Sequence, residues 1–389
     1  MHNLLRALPR CVLALSLAGC GADADAVPGR PAAPPASPAA LPAADPADTL
    51  SLAERDSIPG SIAFIAERDG NKELYSVRPT GGGERRLTRR PEQDFPGDVR
   101  RDGSELLLIS LEGEGPTRVE RFWVAPGGGG PLRPLGPRGA LMRSPSWGPD
   151  GRWLVYESNT RDGYRDIYRL DRATGQVRAL TQNPEGNFRP VVSPNGDWVV
   201  FGSSRDSVSE LYRMRPDGSG QERITHTPRD EWGVRWSSDG GLLAFLSDRD
   251  GSDRVYMSYP DGREVRRLSD EPHDPHVMED KPAWAPRGFA IAWVRRTRNE
   301  PSRILIRDVA NGFRGEVRAR GLGSLDDPAW SPDGRYLAFT LTRGDTVQVY
   351  VARADGTRPT RVTHAPGPNW YPVWLGGPAA PAPGARAAR

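Results

Sequence analysis

Trp330-Ser331-Pro332-Asp333-Gly334-Arg335-Tyr336-Leu337-Ala338-Phe339 is a turn followed by a strand. Ser-Pro-Asp-Gly suits a type I turn: Pro presets φ at the first central position, Asp tolerates the second and Gly closes it. The apolar run behind the turn and the Trp ahead of it predict two antiparallel strands joined there. The same unit recurs along the chain, with its turn glycine or nearest equivalent at Gly60, Gly103, Gly151, Gly196, Gly240, Gly288 and Gly334. Successive differences are 43, 48, 45, 44, 48 and 46 residues, and repetition at a near-fixed period outranks any local reading.

Each turn is followed by an apolar strand, for example Ile62-Ala63-Phe64-Ile65, Trp198-Val199-Val200-Phe201 and Leu242-Leu243-Ala244-Phe245. A second strand with an apolar–aromatic centre comes next, as at Leu74-Tyr75, Leu211-Tyr212 and Val349-Tyr350. An Arg-Asp-Gly-like turn separates the two, and a last strand ends in Arg-Leu-Thr or a variant, as at Arg86-Leu87-Thr88. With the strand before the Ser-Pro-Asp-Gly turn, each unit has four strands. Four antiparallel strands per period of this length predict one blade of an all-β, seven-bladed β-propeller. Six or eight blades are the alternatives, because the units at Arg101-Asp102-Gly103 and Pro286-Arg287-Gly288 are degenerate.

The ends of the array predict how the ring closes. Ala53 to Ile58 carries no Pro-x-Trp pattern, so the first unit lacks its inner strand. Trp370-Tyr371-Pro372-Val373-Trp374-Leu375 matches Asp327-Pro328-Ala329-Trp330, yet no further strands follow it. Residues near 371–375 are therefore expected to complete the first blade and remove the open edges of the array.

Ahead of the repeats, Arg6 and Arg10 flank an apolar stretch from Cys11 to Leu17 that is too short to span a bilayer as a helix. Leu17-Ala18-Gly19-Cys20 resembles a bacterial lipobox, which implies cleavage before Cys20 and acylation of that residue. Several acyl chains give stable anchoring where one does not. The expected organisation is a signal peptide over 1–19, a lipidated Cys20 with an Ala/Pro-rich tether over 20–57, the propeller over 58–376, and a disordered tail over 377–389. Residues 48–56 have the composition for a helical turn or two against the propeller. Once Cys11 is cleaved off and Cys20 carries lipid, no cysteine remains for a disulfide or a thiolate metal site. The formal net charge of +3 falls by two with Arg6 and Arg10, and both signs are scattered through the repeats. That distribution gives nucleic-acid binding no support.

The recurring Pro-x-Trp-Ser-Pro-Asp-Gly-x-x-Leu-Ala-Phe, then Arg-Asp-Gly, a Tyr strand and Arg-Arg-Leu-Thr, resembles the WD40-like repeats of TolB-family propellers over nearly all of residues 60–376. The resemblance implies a propeller that binds an envelope protein or peptide. Here a lipobox and a Pro-rich segment stand where TolB proteins carry an N-terminal α/β domain.

Loops entering the inner strands border one mouth of the channel, and Asp94, Asn187, Glu231, Trp232, Asp280, Asp326 and Trp370 are its candidate contact residues. An acidic and aromatic rim suits a peptide or glycan better than a bare ion. His273, His276 and Glu279 in the loop before the sixth inner strand carry imidazole and carboxylate, which suit Zn²⁺ or Mn²⁺, though their spacing matches no strong metal motif. The reading is a lipid-anchored, monomeric, non-catalytic scaffold of the bacterial cell envelope without a cofactor. No Gly-x-Ser-x-Gly elbow occurs, which argues against a prolyl-oligopeptidase-like hydrolase. The enzymatic alternative is a metal-dependent glycan lyase resembling oligogalacturonate lyase, with a divalent cation at the histidine pair.

Overall fold

The computed structural model describes residues 49–376, apart from 114–117, 140, 160–162, 271–273 and 320. Cys20, the signal peptide, the tether up to residue 48, His273 and the tail over 377–389 lie outside the described residues.

Among the described residues the strands form seven four-stranded antiparallel sheets. The inner strands of blades 1 to 7 are Asn369–Leu375, Gln93–Val99, Met142–Trp147, Asn187–Val192, Glu231–Trp236, Val277–Trp284 and Ser324–Trp330, and they touch one another in order round the axis. Ring closure is as expected: the last strand pairs antiparallel with Ser61–Glu67, setting Trp374 opposite Ile62 and Trp370 opposite Ile65. The outermost strands are shorter than the repeat suggests, two residues long at Arg85–Arg86, Glu222–Arg223, Arg266–Arg267 and Thr360–Arg361.

Aromatic pairs stack the middle strands of five blades. Phe64 and Tyr75, Tyr156 and Tyr168, Phe201 and Tyr212, Phe245 and Tyr256, and Phe339 and Tyr350 sit with ring centroids 5.8–6.1 Å apart. Each pair adds about 1 kcal/mol beyond the area it buries. The Arg-Asp-Gly turns serve the same layer: Arg68, Arg205 and Arg249 lie over Tyr75, Tyr212 and Tyr256 at 4.1–4.5 Å, and the Tyr212 and Tyr256 hydroxyls donate to Asp206 and Asp250. Blade joins to blade through the tryptophans. The Nε1–H groups of Trp236, Trp330 and Trp374 donate to the carbonyls of Val191, Ala283 and Ala329 in the preceding blade.

The helix expected near residues 48–56 is Leu52–Asp56, capped by the Ser51 hydroxyl, the one helix among the described residues. It does not lie free. Leu50 and Ile58 are buried in the cluster that holds Phe64, Tyr336 and Val349, and the Leu50 N–H donates to Thr360 Oγ1 at 2.7 Å. This segment spans the join between blade 7 and blade 1, so the seam is covered twice.

Candidate functional site

The inner strands place side chains round the axis in rings. Number back from the last residue of the strand motif, which is Trp374, Val99, Trp147, Val192, Trp236, Trp284 and Trp330 in blades 1 to 7. The ring five residues back is Asn369, Asp94, Met142, Asn187, Glu231, Glu279 and Leu325, and every member is at most 3% exposed. These side chains face the neighbouring blade and have partners inside the protein. Asn187 donates to Asp166 at 2.9 Å and accepts from Arg205 at 3.0 Å. Asp94 is held by Arg90 and Ser110, and Glu231 by Arg249 and Ser247. Of the seven candidate contact residues, Asp94, Asn187 and Glu231 are thus walled off by partners inside the protein, and Asn187 acts as a fastener between blades 4 and 3.

The remaining four lie one residue further on, in the ring Trp370, Phe95, Arg143, Phe188, Trp232, Asp280 and Asp326. Trp370, Trp232, Asp280 and Asp326 are half-buried. Successive strand residues point to opposite faces, so one step in register separates fastener from rim. Directly after this ring six inner strands shift register, and that of blade 2 does so one residue later. In six blades the residue there has positive φ: Tyr371, Ser144, Arg189, Gly233, Lys281 and Asp327, between 48° and 67°. A β-bulge inserts one residue and re-aims the side chains around it. Proline follows the bulge in five blades (Pro145, Pro190, Pro282, Pro328, Pro372), where a missing N–H costs no ladder bond.

Blades 6, 7 and 1 carry a dense charged rim. Lys281 Nζ sits 2.6 Å from both Asp326 and Asp327. Arg296 reaches Asp326 at 2.7 Å and Asp280 at 3.2 Å. Burial alone would lower the Lys281 ammonium, but Asp327 and Asp326 outweigh it and hold it above the usual lysine range. Burial raises Asp280 despite Arg296 and Lys281. Tyr371 stands beside this cluster, 41% exposed, with Lys281 5.9 Å from its ring centroid. Lys72 lies between the Phe95 and Trp370 rings, 5.6 and 5.7 Å from their centroids.

Deeper in, Asp98 of blade 2 accepts from the Trp147 N–H at 2.8 Å, and burial pushes its carboxyl up to about 6 against the pull of that N–H and of Arg235. Arg189 and Arg235 come from blades 4 and 5. At the opposite mouth, made of the Ser-Pro-Asp-Gly turns, Arg101 of blade 2 donates to the carbonyls of Pro194 (3.2 Å) and Ser238 (2.9 Å) in blades 4 and 5. Asp98, Arg101, Arg189, Arg235, Lys281 and Arg296 were missed in the sequence. Reading the bulge residue and the one before the Trp in every repeat would have found four of them.

Of the three histidine-loop candidates, His276 and Glu279 are described and His273 lies outside the described residues. Glu279 is buried and accepts from the Val255 N–H and the Ser269 hydroxyl, whereas His276 is exposed. Among the described residues no three His, Cys, Asp or Glu side chains are grouped to hold a metal.

Residues 273–377 match the family model of the TolB beta propeller domain. A TolB homolog of Chlorobaculum tepidum is 35% identical over 86 residues, 22% of this chain and 19% of that protein. An uncharacterized peptidase YuxL of Bacillus subtilis is 27% identical over 150 residues, 37% of this chain and 20% of that protein. The chain thus spans less than a third of the length of the curated relatives it matches. Among solved structures, TolB from Acinetobacter baumannii superposes with a TM-score of 0.53 at 20% identity, over 88% of this chain and 89% of that one. Oligogalacturonate lyase in complex with manganese superposes with a TM-score of 0.60 at 17% identity, over 76% and 86%. Both structural likenesses establish the fold alone. Residues 273–377 thus match a TolB beta propeller domain, and the seven-bladed array that contains them is similar in sequence to segments of TolB proteins.

Proposed function

We propose that this protein is a non-catalytic scaffold of the bacterial cell envelope that grips an extended segment of an envelope protein at the loop-lined mouth of its channel. The rim built from Tyr371, Trp370, Lys281, Asp326 and Asp327 carries the reading. Aromatic faces and charged groups converge there on rigid strand ends, the mixture expected at a peptide-binding surface. The lipobox at Leu17 to Cys20 supports attachment to a membrane by lipid, and the TolB relatives support an envelope location, facing the periplasm or displayed on the surface. The protein acts as a monomer and needs no cofactor in this reading.

Affinity capture from cross-linked envelopes tests it. A stoichiometric protein partner that is lost on Tyr371→Ala, with unchanged thermal stability, is the expected result. Capture indifferent to Tyr371 and Lys281 overturns the rim as the contact surface. For Cys20→Ser, release of the protein from the membrane fraction is expected; continued sedimentation with membranes refutes the lipid anchor.

The likeness to oligogalacturonate lyase with manganese favours one second reading, a metal-dependent lyase acting on an anionic glycan. His276 and the carboxylates of its loop would hold the cation. Turnover in a glycan screen with Mn²⁺, abolished by His276→Ala, would support it in place of the scaffold.

A further inference from the structure

The channel wall is electrically lopsided. On three consecutive blades an arginine occupies successively deeper levels of the inner strand: Arg143 four residues before the motif Trp, Arg189 three before Val192, and Arg235 one before Trp236. Arg101 continues the series at the turn mouth. The acids gather on the other side, in blades 6 and 7, where Lys281 and Arg296 already neutralise them. Arg143 is paired with Glu120 at 3.0 Å, and Arg101 is spent on two backbone carbonyls.

Arg189 and Arg235 are different. Among the described residues neither shares an ion pair, and the one hydrogen bond of the Arg235 guanidinium goes to the adjacent Val234 carbonyl at 2.9 Å. Arg189 uses its backbone N–H, not its side chain, to reach Glu157 at 2.7 Å. Arg235 is solvent-exposed, yet burial, with repulsion from Arg189, lowers its guanidinium below the usual arginine range. Both hold for a side chain that is walled by neighbouring blades yet keeps contact with solvent. Asp98 and Glu157 are the carboxylates facing the pair, and burial raises both toward the uncharged form. Two guanidinium groups that spend one hydrogen bond between them among the described residues leave most of their donors for an anion. Arg is the side chain suited to bidentate capture of a carboxylate or phosphate.

We infer that the middle of the channel is an oxyanion site, in which Arg189 and Arg235 together hold a carboxylate or phosphate group that enters through the loop mouth. The Arg101 bridge spans blades 2, 4 and 5 at the opposite, turn mouth. Asp98 is its internal competitor, a fixed carboxylate near the place the ligand would take. This site lies below the rim residues and does not depend on what the rim binds.

The test is titration of the purified protein with sodium phosphate at pH 7, against sodium chloride of matched ionic strength, followed by calorimetry and by thermal midpoint. Saturable phosphate binding beyond the chloride control is expected, weakened at least tenfold by Arg235→Gln and by Arg189→Gln. Arg235→Gln removes a repelled charge, so its midpoint without phosphate stays level or rises, which separates lost binding from lost folding. Asp98→Asn tightens phosphate several-fold, an effect opposite in sign to any general damage. A parallel arm uses an acidic pentapeptide with a free C-terminus and its amidated twin. Binding of the free acid alone identifies a chain terminus as the source of the group, whereas phosphate binding without peptide binding identifies a small free anion. Equal response to phosphate and chloride with no peptide binding, or full retention of binding in Arg235→Gln, overturns the site.

Discussion

Glu54 accepts two hydrogen bonds from the Arg353 guanidinium, at 2.8 and 3.0 Å, across a sequence separation of 299 residues. The contact ties the short N-terminal helix to blade 7, while the strand that follows the helix belongs to blade 1. The Arg353 side chain is 41% exposed and Glu54 18%, so the pair contributes about 0.5–1 kcal/mol after screening by solvent. Arg353 holds the Glu54 carboxyl below its usual range. A lowered acid stabilises the fold above its unfolded value and loses that contribution as pH falls through the folded value. Glu54→Gln is therefore expected to lower stability slightly at pH 7, with the deficit shrinking in acid as the wild-type carboxyl takes up its proton, by urea unfolding at neutral and acid pH. An equal deficit at both would show that the pair acts by packing alone.

Ring closure rests on more than that clasp. Trp374 is 5% exposed, pairs with Ile62, and donates its Nε1–H to the Ala329 carbonyl at 2.9 Å. Trp374→Ala removes a large buried ring and is expected to cost about 3–5 kcal/mol. Deleting residues from Trp370 onward takes away all of the inner strand of blade 1 except Asn369 and exposes the edge of Ser61–Glu67. Cooperative unfolding should vanish from the calorimetric trace of the truncated protein. A truncated chain that melts at the wild-type midpoint would mean the ring does not need its last strand.

The fold was readable because each repeat repeats its chemistry. A Trp, a tight turn and an aromatic strand recur at a period of one blade, and the lone Trp370–Leu375 segment could only belong to the unit that lacks it. The site was less readable for two physical reasons. Asp94 and Phe95 are neighbours in sequence, but one faces the next blade and the other the rim; both are plausible rim residues until the register is known. The bulge at Tyr371, Ser144, Arg189, Lys281 and Asp327 then shifts that register by one residue, and it carries no fixed side chain to mark it. Arg189 and Arg235 escaped notice because they occupy different levels of different repeats, so alignment of the repeats does not bring them together.

Glu231 offers a test of the fastener ring. Blades 1 and 4 use Asn369 and Asn187 at this level, and each amide donates to an acceptor of the preceding blade, Gln348 and Asp166. Glu231 has no amide to offer. One of its oxygens is buried without a hydrogen bond, and burial, with Glu210 nearby, raises its carboxyl above the usual range. An acid raised in the folded state leaves stability intact below its unfolded value and drains it as pH rises through the folded one. Glu231→Gln is expected to gain about 1 kcal/mol at pH 8 and little at pH 4. Denaturant midpoints across that range check the slope. Loss of stability at pH 8 would mean that the ionised carboxylate, through Arg249, is the form the fold requires.

Arg101 gives the last prediction. Its guanidinium leaves blade 2, crosses the turn mouth and donates to Pro194 and Ser238, carbonyls of blades 4 and 5 that lie 93 and 137 residues away in the chain. Hydrogen bonds from a charged donor contribute about 1.5–3 kcal/mol each when desolvated, and less here, because water at the mouth can replace them. Arg101→Ala is expected to cost about 1–2 kcal/mol and to speed amide exchange in the turns over 193–198 and 237–242, with the remaining turns unaffected. Arg101→Lys should rescue little, since one ammonium lacks the planar fork that serves two carbonyls on separate blades. Hydrogen–deuterium exchange resolved by peptide checks both variants. Unchanged exchange in the two turns with Arg101→Ala would show that the bridge neither braces the mouth nor closes it.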